Sequence, residues 1–210
     1  MSVRRVSLVR RWLERVLLAL GIVCLGYYAY VSAETFLYQA YENRELDAIL
    51  SSRRPAASEG ETGAAAATDS AHTTRTVTAG ETIGRIAIPR LGVSAIIKAG
   101  VDARTLQLAV GHIPGTAFPG EEGNIGLAAH RDTFFRRLRD IETDDRIRLT
   151  TPDGVLDYRV ERTHVVEPSD VWVLDPTGHP TLTLVTCYPF SYVGSAPQRF
   201  IVRAQLDQAR

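Results

Sequence analysis

The feature that most narrows what this chain can fold into is a run without charge. From Val16 to Ala33 there are eighteen residues with no Asp, Glu, Lys or Arg. As a helix the run spans roughly 27 Å, close to the ~30 Å hydrocarbon core of a bilayer. Residues 1–15 carry Arg4, Arg5, Arg10, Arg11 and Arg15 against a single acid, Glu14. Tyr27, Tyr28 and Tyr30 gather at the far end, where aromatic side chains sit at a membrane interface. The reading is a cytoplasmic segment 1–15, a transmembrane signal anchor 16–33, and everything after Ala33 on the outside. Val31-Ser32-Ala33 also resembles a signal-peptidase site. An uncleaved single-pass anchor in the cell membrane is preferred, because the apolar run is long for a signal peptide and the helical pattern continues.

Past the anchor the texture changes twice. Glu34–Leu50 reads as a short amphipathic helix or stalk, and 51–79 is Ala, Gly, Ser, Thr and Glu with few large apolar side chains. Such a segment cannot bury enough surface to offset its ordering entropy. Residues 34–79 are therefore expected to be stalk and flexible linker. From Gly80 onward short β-type runs recur: Ile83–Ile88, Val93–Lys98, Ile125–Ala129, Arg146–Thr150, Val155–Val160, His164–Val166, Thr181–Thr186 and Phe200–Ala204. Thr151-Pro152-Asp153-Gly154 is a strong hairpin signal between two of them. Helix is expected only as scraps, one turn over Thr105–Val110 and a short helix over Asp132–Leu138 with Asp132 as its N-cap. The extracytoplasmic domain 80–210 is thus predicted to be mainly β, a closed or nearly closed, antiparallel-rich barrel. It is large enough to bury a core without disulfides.

Lys and Arg total 24 and are balanced by 24 Asp and Glu, with no basic block outside the first fifteen residues. That excludes a nucleic-acid binder on electrostatic grounds. There are two cysteines, and Cys24 falls in the anchor, so Cys187 has no disulfide partner in its own domain. In an oxidising compartment a leftover thiol is a candidate reactive group. Thr181–Thr186 is a buried-strand pattern that delivers Cys187 to its carboxyl end.

A thiolate nucleophile needs a nearby imidazole or cation, and donors for the oxyanion formed on attack. His130 also ends a strand-like run. Arg199 begins the next strand after Cys187; if the two strands are antiparallel neighbours, it lies beside the thiol. Arg203 shares that face but sits roughly 13 Å further along. Each residue also has a plain reading: a buried core cysteine, a surface-loop histidine, a solvated strand arginine. His112, in a Gly/Pro loop, competes with His130. A metal site from His112, His130, His164 and Cys187 lacks close ligand spacing. Glu121, Glu122, Asp144 and Asp145 could hold Ca²⁺, although a solvated loop is the simpler reading.

Three segments carry a family resemblance. Thr183-Leu184-Val185-Thr186-Cys187 resembles the TLxTC signature of the sortases, membrane-anchored cysteine transpeptidases. Leu127-Ala128-Ala129-His130-Arg131-Asp132 resembles the segment around their histidine, and Arg199-Phe200-Ile201-Val202 their arginine strand. Gly111-His112-Ile113-Pro114-Gly115-Thr116 and Asn124 resemble the loop leading to that histidine. The likeness covers about residues 82–206 and is greatest to class D, with class E next. Ala129 departs from it, standing where many members have glycine.

The resemblance implies an eight-stranded sortase-type barrel and a cysteine transpeptidase that cleaves an LPxTG-like sorting signal. In that reading Cys187 is the nucleophile and forms a thioacyl enzyme. His130 protonates the leaving amine and then deprotonates the incoming one. Arg199 holds substrate and stabilises the oxyanion, and Thr186 helps orient the substrate. No cofactor or metal is implied. The implied partners are proteins bearing a C-terminal sorting signal, an amine acceptor on cell wall or pilin, and the membrane. Two other readings are a non-catalytic anchored barrel that only binds, and an L,D-transpeptidase-like peptidoglycan enzyme. The second expects a His-Gly-Cys-type motif, which does not precede Cys187.

Overall fold

The computed structural model describes residues 3–53 and 77–207, with side chains from 11–52 and 77–207. It divides into two units, Met1–Ala40 and Tyr41–Arg210. The described residues of the first are helix alone, the leading part of α1 (Val3–Arg53). This helix, near the N-terminus, is long and apolar enough to cross a membrane. Leu17, Leu20, Ile22, Val23 and Leu25 are all exposed on it, as a lipid-facing stretch requires.

Helix runs on to Arg53, three residues into the expected linker. The hydroxyls of Ser51 and Ser52 donate to the carbonyls of Ala48 and Ile49 (both 2.8 Å), so these serines satisfy the last turn instead of breaking it. Most of the expected linker, 54–76, lies outside the described residues. The final turns of α1 belong to the second unit and pack against its sheet. Leu46 is buried, Glu42 accepts from Thr82 (2.6 Å) and Lys98 (3.4 Å), and Arg85 donates to Asn43 (3.1 Å) and Asp47 (3.0 Å).

Eight strands follow: β1 (Thr82–Ile88), β2 (Val93–Ala99), β3 (Val110–His112), β4 (Asn124–Ala128), β5 (Arg146–Thr151), β6 (Gly154–Val166), β7 (Thr181–Tyr188) and β8 (Gln198–Leu206). They close into a barrel in the order β1-β2-β3-β4-β7-β8-β6-β5. Two neighbouring pairs, β2/β3 and β4/β7, are parallel and the rest antiparallel. Closure removes free sheet edges. The parallel β2/β3 pair requires a crossover, supplied by α2 (Ala103–Leu108). Its carboxylate cap is Asp102, which accepts from the N–H groups of Arg104 (3.0 Å) and Thr105 (3.1 Å), so the helix begins two residues earlier than expected.

The barrel interior is filled by alternate residues of every strand. Ile86, Ile97, Ile125, Leu127, Ile147, Leu149, Leu182, Leu184 and Val202 are fully buried there. Each such side chain contributes about 1.5–3 kcal/mol on leaving water. The predicted hairpin is present, with Thr151 opposite Gly154. His164–Val166 continues the second strand of the hairpin: β6 runs through it, past a register shift between Val160 and Arg162.

Candidate active site

Which side chains meet at the carboxyl ends of β4 and β7 follows from pairing and the two-residue period of a strand. On β7, Leu182 and Leu184 point into the core, so Thr183, Val185 and Cys187 point outward. On β4, Ile125, Leu127 and Ala129 point inward, so Asn124, Gly126, Ala128 and His130 point outward. The strands are parallel, with Gly126 opposite Thr183 and Ala128 opposite Val185. The same step repeated once brings His130 level with Cys187. On the other flank β8 pairs antiparallel, and Arg199 lies directly opposite Cys187. All three candidates therefore share the outer face at one end of the wall.

Local contacts hold that end together. The Thr186 hydroxyl, buried inside, donates to the Ala129 carbonyl (2.8 Å), and Ala129 N–H donates to Val185 (3.3 Å). Both fix the backbone just before His130. The His130 carbonyl then accepts from Thr133 (3.3 Å) and Phe135 (3.2 Å), turning the chain sharply. Cys187 is half-buried and His130 exposed, so the pair is open to solvent and substrate. Arg199 is half-buried, and its Nη1 donates to Ala196 (3.2 Å) and Gln198 (2.9 Å). Its Nε and Nη2 make no hydrogen bond among the described residues.

The outer face is covered at its other end by the segment between β6 and β7. Val173 and Leu174 pack with Val166, Val185 and Ile201. Asn124 donates to the carbonyls of Val173 (3.0 Å) and Asp175 (3.1 Å), and accepts from Thr183 (2.7 Å). Arg203 donates to Val173 as well (2.7 Å). Burial, with Arg162 nearby, lowers the Arg203 pKa from its ordinary value. One end of the face is thus a covered polar floor, and the other is an open site.

A profile of the sortase domain matches residues 86–207, more than half of the chain. The chain belongs to the sortase family. Among curated relatives it is 39% identical over 124 residues to sortase D of Bacillus subtilis, covering 59% of this chain and 63% of that protein. It is 26% identical over 130 residues to a sortase A of Listeria monocytogenes, covering 60% and 57%. The match thus spans about three-fifths of the length of these relatives. Among solved structures, a Clostridium perfringens sortase D5 transpeptidase superposes with a TM-score of 0.58 at 32% identity, over 62% of this chain and 82% of that one. A sortase C of the same organism, solved with the C-terminal cell wall sorting motif, gives 0.59 at 26% identity, over 64% and 75%. Class D is the subgroup this sortase most resembles.

Of the expected site residues, Arg199 is paired opposite Cys187, and His130 lies two residues past the last β4–β7 pair, Ala128 and Val185. Thr186 sits behind them, 2% exposed with its hydroxyl committed to Ala129, so it does not face a substrate directly. His112 is not on this face. It is 2% exposed, stacked on Phe118 (4.4 Å between ring centroids), with Nε2 bonded to the Ala117 carbonyl (2.8 Å). Burial lowers its pKa below the ordinary histidine value. His164 stacks on Trp172 instead. Among the described residues no three His, Cys, Asp or Glu side chains gather as metal ligands. Asp145 is buried and paired with Arg90, and Asp144 faces Arg159 (3.9 Å).

Two features differ from the sequence expectation. Asp132 is no N-cap: it is exposed beside Arg131, residues 131–135 form turns, and a short 3-10 helix starts only at Arg136. Arg131, which the sequence marks only as the neighbour of His130, is 7% exposed. It donates to the carbonyls of Pro189 (2.8 Å), Tyr192 (2.6 Å) and Gly194 (3.1 Å). Placed directly after His130, it ties that strand end to the β7–β8 loop. The signal was available in an arginine adjoining the candidate histidine, but its partners lie some sixty residues away.

Proposed function

We propose that this protein is a membrane-anchored cysteine transpeptidase acting on proteins with an LPxTG-like C-terminal sorting signal. The observation that carries the proposal is the pairing of Arg199 with Cys187 on the outer face, which, with the β4–β7 register continued two residues past Ala128 and Val185, supports His130 on the other side of the thiol. The Cys187 sulfur attacks the carbonyl carbon of the scissile peptide bond. The thiol proton passes by way of His130 to the departing amine, and the C–N bond breaks to leave a thioester. An incoming amine then gives a proton to His130 and displaces the sulfur, forming a new amide and restoring the thiol. Arg199 offers its unengaged Nε and Nη2 donors to the developing oxyanion. Thr186 is a positioning residue that steadies Ala129, and through it His130. The solved relative carrying a cell wall sorting motif supports the choice of substrate.

In this reading residues 1–15 are cytoplasmic and 16–33 span the membrane. Residues 34–79 carry the catalytic domain 80–210 outside, with the end of the stalk helix docked on its barrel. The acceptor is an amine on cell wall or pilin. The test uses full-length protein in detergent with a library of LPxTG-like peptides and an amine. Intact mass should show an adduct of the N-terminal peptide fragment on wild type and none on Cys187→Ala. A folded protein with an alkylatable Cys187 that forms no adduct with any peptide overturns the reading.

A further inference from the structure

We infer that Arg131 is a positioning residue for the transfer reaction. It locks the β7–β8 loop against the strand end that carries His130, and so holds the imidazole and the Arg199 guanidinium in their places about Cys187. The inference rests on the transpeptidase reading above and adds to it a residue that touches no reacting atom. The imidazole of His130 is exposed and makes no hydrogen bond among the described residues, so its place is set through the backbone. That backbone is tied on both sides. Upstream, Ala129 is bonded to Val185 and to the Thr186 hydroxyl, both on β7. Downstream comes Arg131, whose Nη1 donates to the Pro189 carbonyl (2.8 Å) and whose Nη2 donates to those of Tyr192 (2.6 Å) and Gly194 (3.1 Å). Its Nε is paired with Asp132 (3.2 Å). At 7% exposure, a guanidinium is tolerated because these acceptors replace water, and one so committed has little left for a substrate.

The loop held in this way, residues 189–197, leaves the strand of Cys187 and returns as the strand of Arg199. Its tip has no packing to fix it: residues 191–195 are exposed, and Val193 is 95% exposed. The carbonyls on either side of Val193 both turn in to Nη2 of Arg131, which leaves the valine facing out. Polar grip, not burial, therefore holds the tip. Arg199 holds the far end of the same loop through the carbonyls of Ala196 (3.2 Å) and Gln198 (2.9 Å). Two guanidinia thus share one loop, one of them next to His130 and the other opposite Cys187. Release at Arg131 frees the tip, and with it the carbonyls against which Arg199 is set. A displacement of about 1 Å at a reacting group costs on the order of 100-fold in rate.

The experiment uses full-length protein in detergent with one sorting peptide and an amine, and counts turnover per folded molecule from the unfolding curve of each variant. Arg131→Gln should lower kcat about 100-fold and leave KM within about 2-fold. Arg131→Lys should lower kcat only about 10-fold, because an ammonium reaches some of the carbonyls but lacks the fork. It carries the test if the glutamine variant does not fold. Asp132→Asn, which keeps all three carbonyl bonds, should match wild type. A second arm reads geometry without catalysis: in Cys24→Ser/His130→Cys, adding Arg131→Gln should slow disulfide formation with Cys187 about 10-fold. Wild-type kcat in a folded Arg131 variant, a loss confined to KM, or an equal loss in Asp132→Asn overturns the inference. An unchanged disulfide rate overturns it as well. If wild type forms no thioacyl adduct, the transpeptidase reading fails by itself, and the disulfide arm still decides whether Arg131 positions residue 130.

Discussion

The two faces of the β4–β7–β8 wall are built from the same strands and do opposite work. The inner face is Ile125, Leu127, Leu182, Leu184, Val202 and Ala204, apolar and sealed in the barrel core. The outer face alternates with it: Asn124, Gly126, His130, Thr183, Cys187, Arg199 and Arg203. Burial alone does not tell them apart, since Asn124 and Thr183 are as inaccessible as the core leucines. The difference is that the outer face satisfies its polar groups on a covering segment at one end and leaves a thiol, an imidazole and a guanidinium open at the other. Stability and chemistry are thereby separated by one residue of strand register.

That separation can be broken from either side. Cys187→Ala or His130→Ala should reduce peptide transfer by at least about 10,000-fold. Denaturant unfolding should shift by no more than about 0.5 kcal/mol, because neither residue packs the core. Leu184→Ala should do the reverse, costing about 2–5 kcal/mol in the same unfolding experiment while each folded molecule keeps its turnover. Loss of stability in Cys187→Ala together with retained activity would dissolve the distinction.

Arg199→Lys should lower turnover about 100-fold in steady-state assays of the sorting peptide, since an ammonium does not reproduce the planar fork. Thr186→Val probes the one contact that crosses from the inner face to the site. It should cost about 1–3 kcal/mol by leaving the Ala129 carbonyl short of a donor, and lower kcat more than KM. Thr186→Ser should recover both. A change in KM alone would return Thr186 to direct substrate contact.

The smallest effect sharpens the contrast between two histidines. His112 is held neutral by burial, so its folded pKa lies below its unfolded one. On acidification the unfolded chain takes up the proton first, and stability falls as pH drops below about 6.5. Above that value the contribution is fully present. His112→Gln should flatten this slope in thermal unfolding and leave transfer activity in place, whereas His130→Ala removes activity.

Much of the fold was legible because local signals agreed with it. The strand alternation of Thr181–Thr186, the Pro-Asp-Gly hairpin and the uncharged run 16–33 each act within a few residues. The Asp102 cap is equally local and starts α2 two residues before the expected turn. Asp132 looked like a cap by type, but Phe135, fully buried, draws the chain into a turn before helix can begin. Strand order was not legible: β4 pairs with β7 across the whole β5–β6 hairpin, a non-local contact without a sequence mark. The same holds for the docking of Glu42 and Leu46, and for the grip of Arg131 on the β7–β8 loop. Cys187, His130 and Arg199 could be named as candidates, but their common face depends on that unmarked pairing.

The pairing can be measured directly. In a Cys24→Ser background, His130→Cys should form an intramolecular disulfide with Cys187 on mild oxidation, because neighbouring strands lie about 4.8 Å apart and both side chains face outward. Intact mass would show the loss of two hydrogens and of both alkylatable thiols. Ala129→Cys, one residue back and facing the core, should form none. Crosslinking at position 129 but not at 130 would place His130 on the opposite face from Cys187 and contradict the site described here.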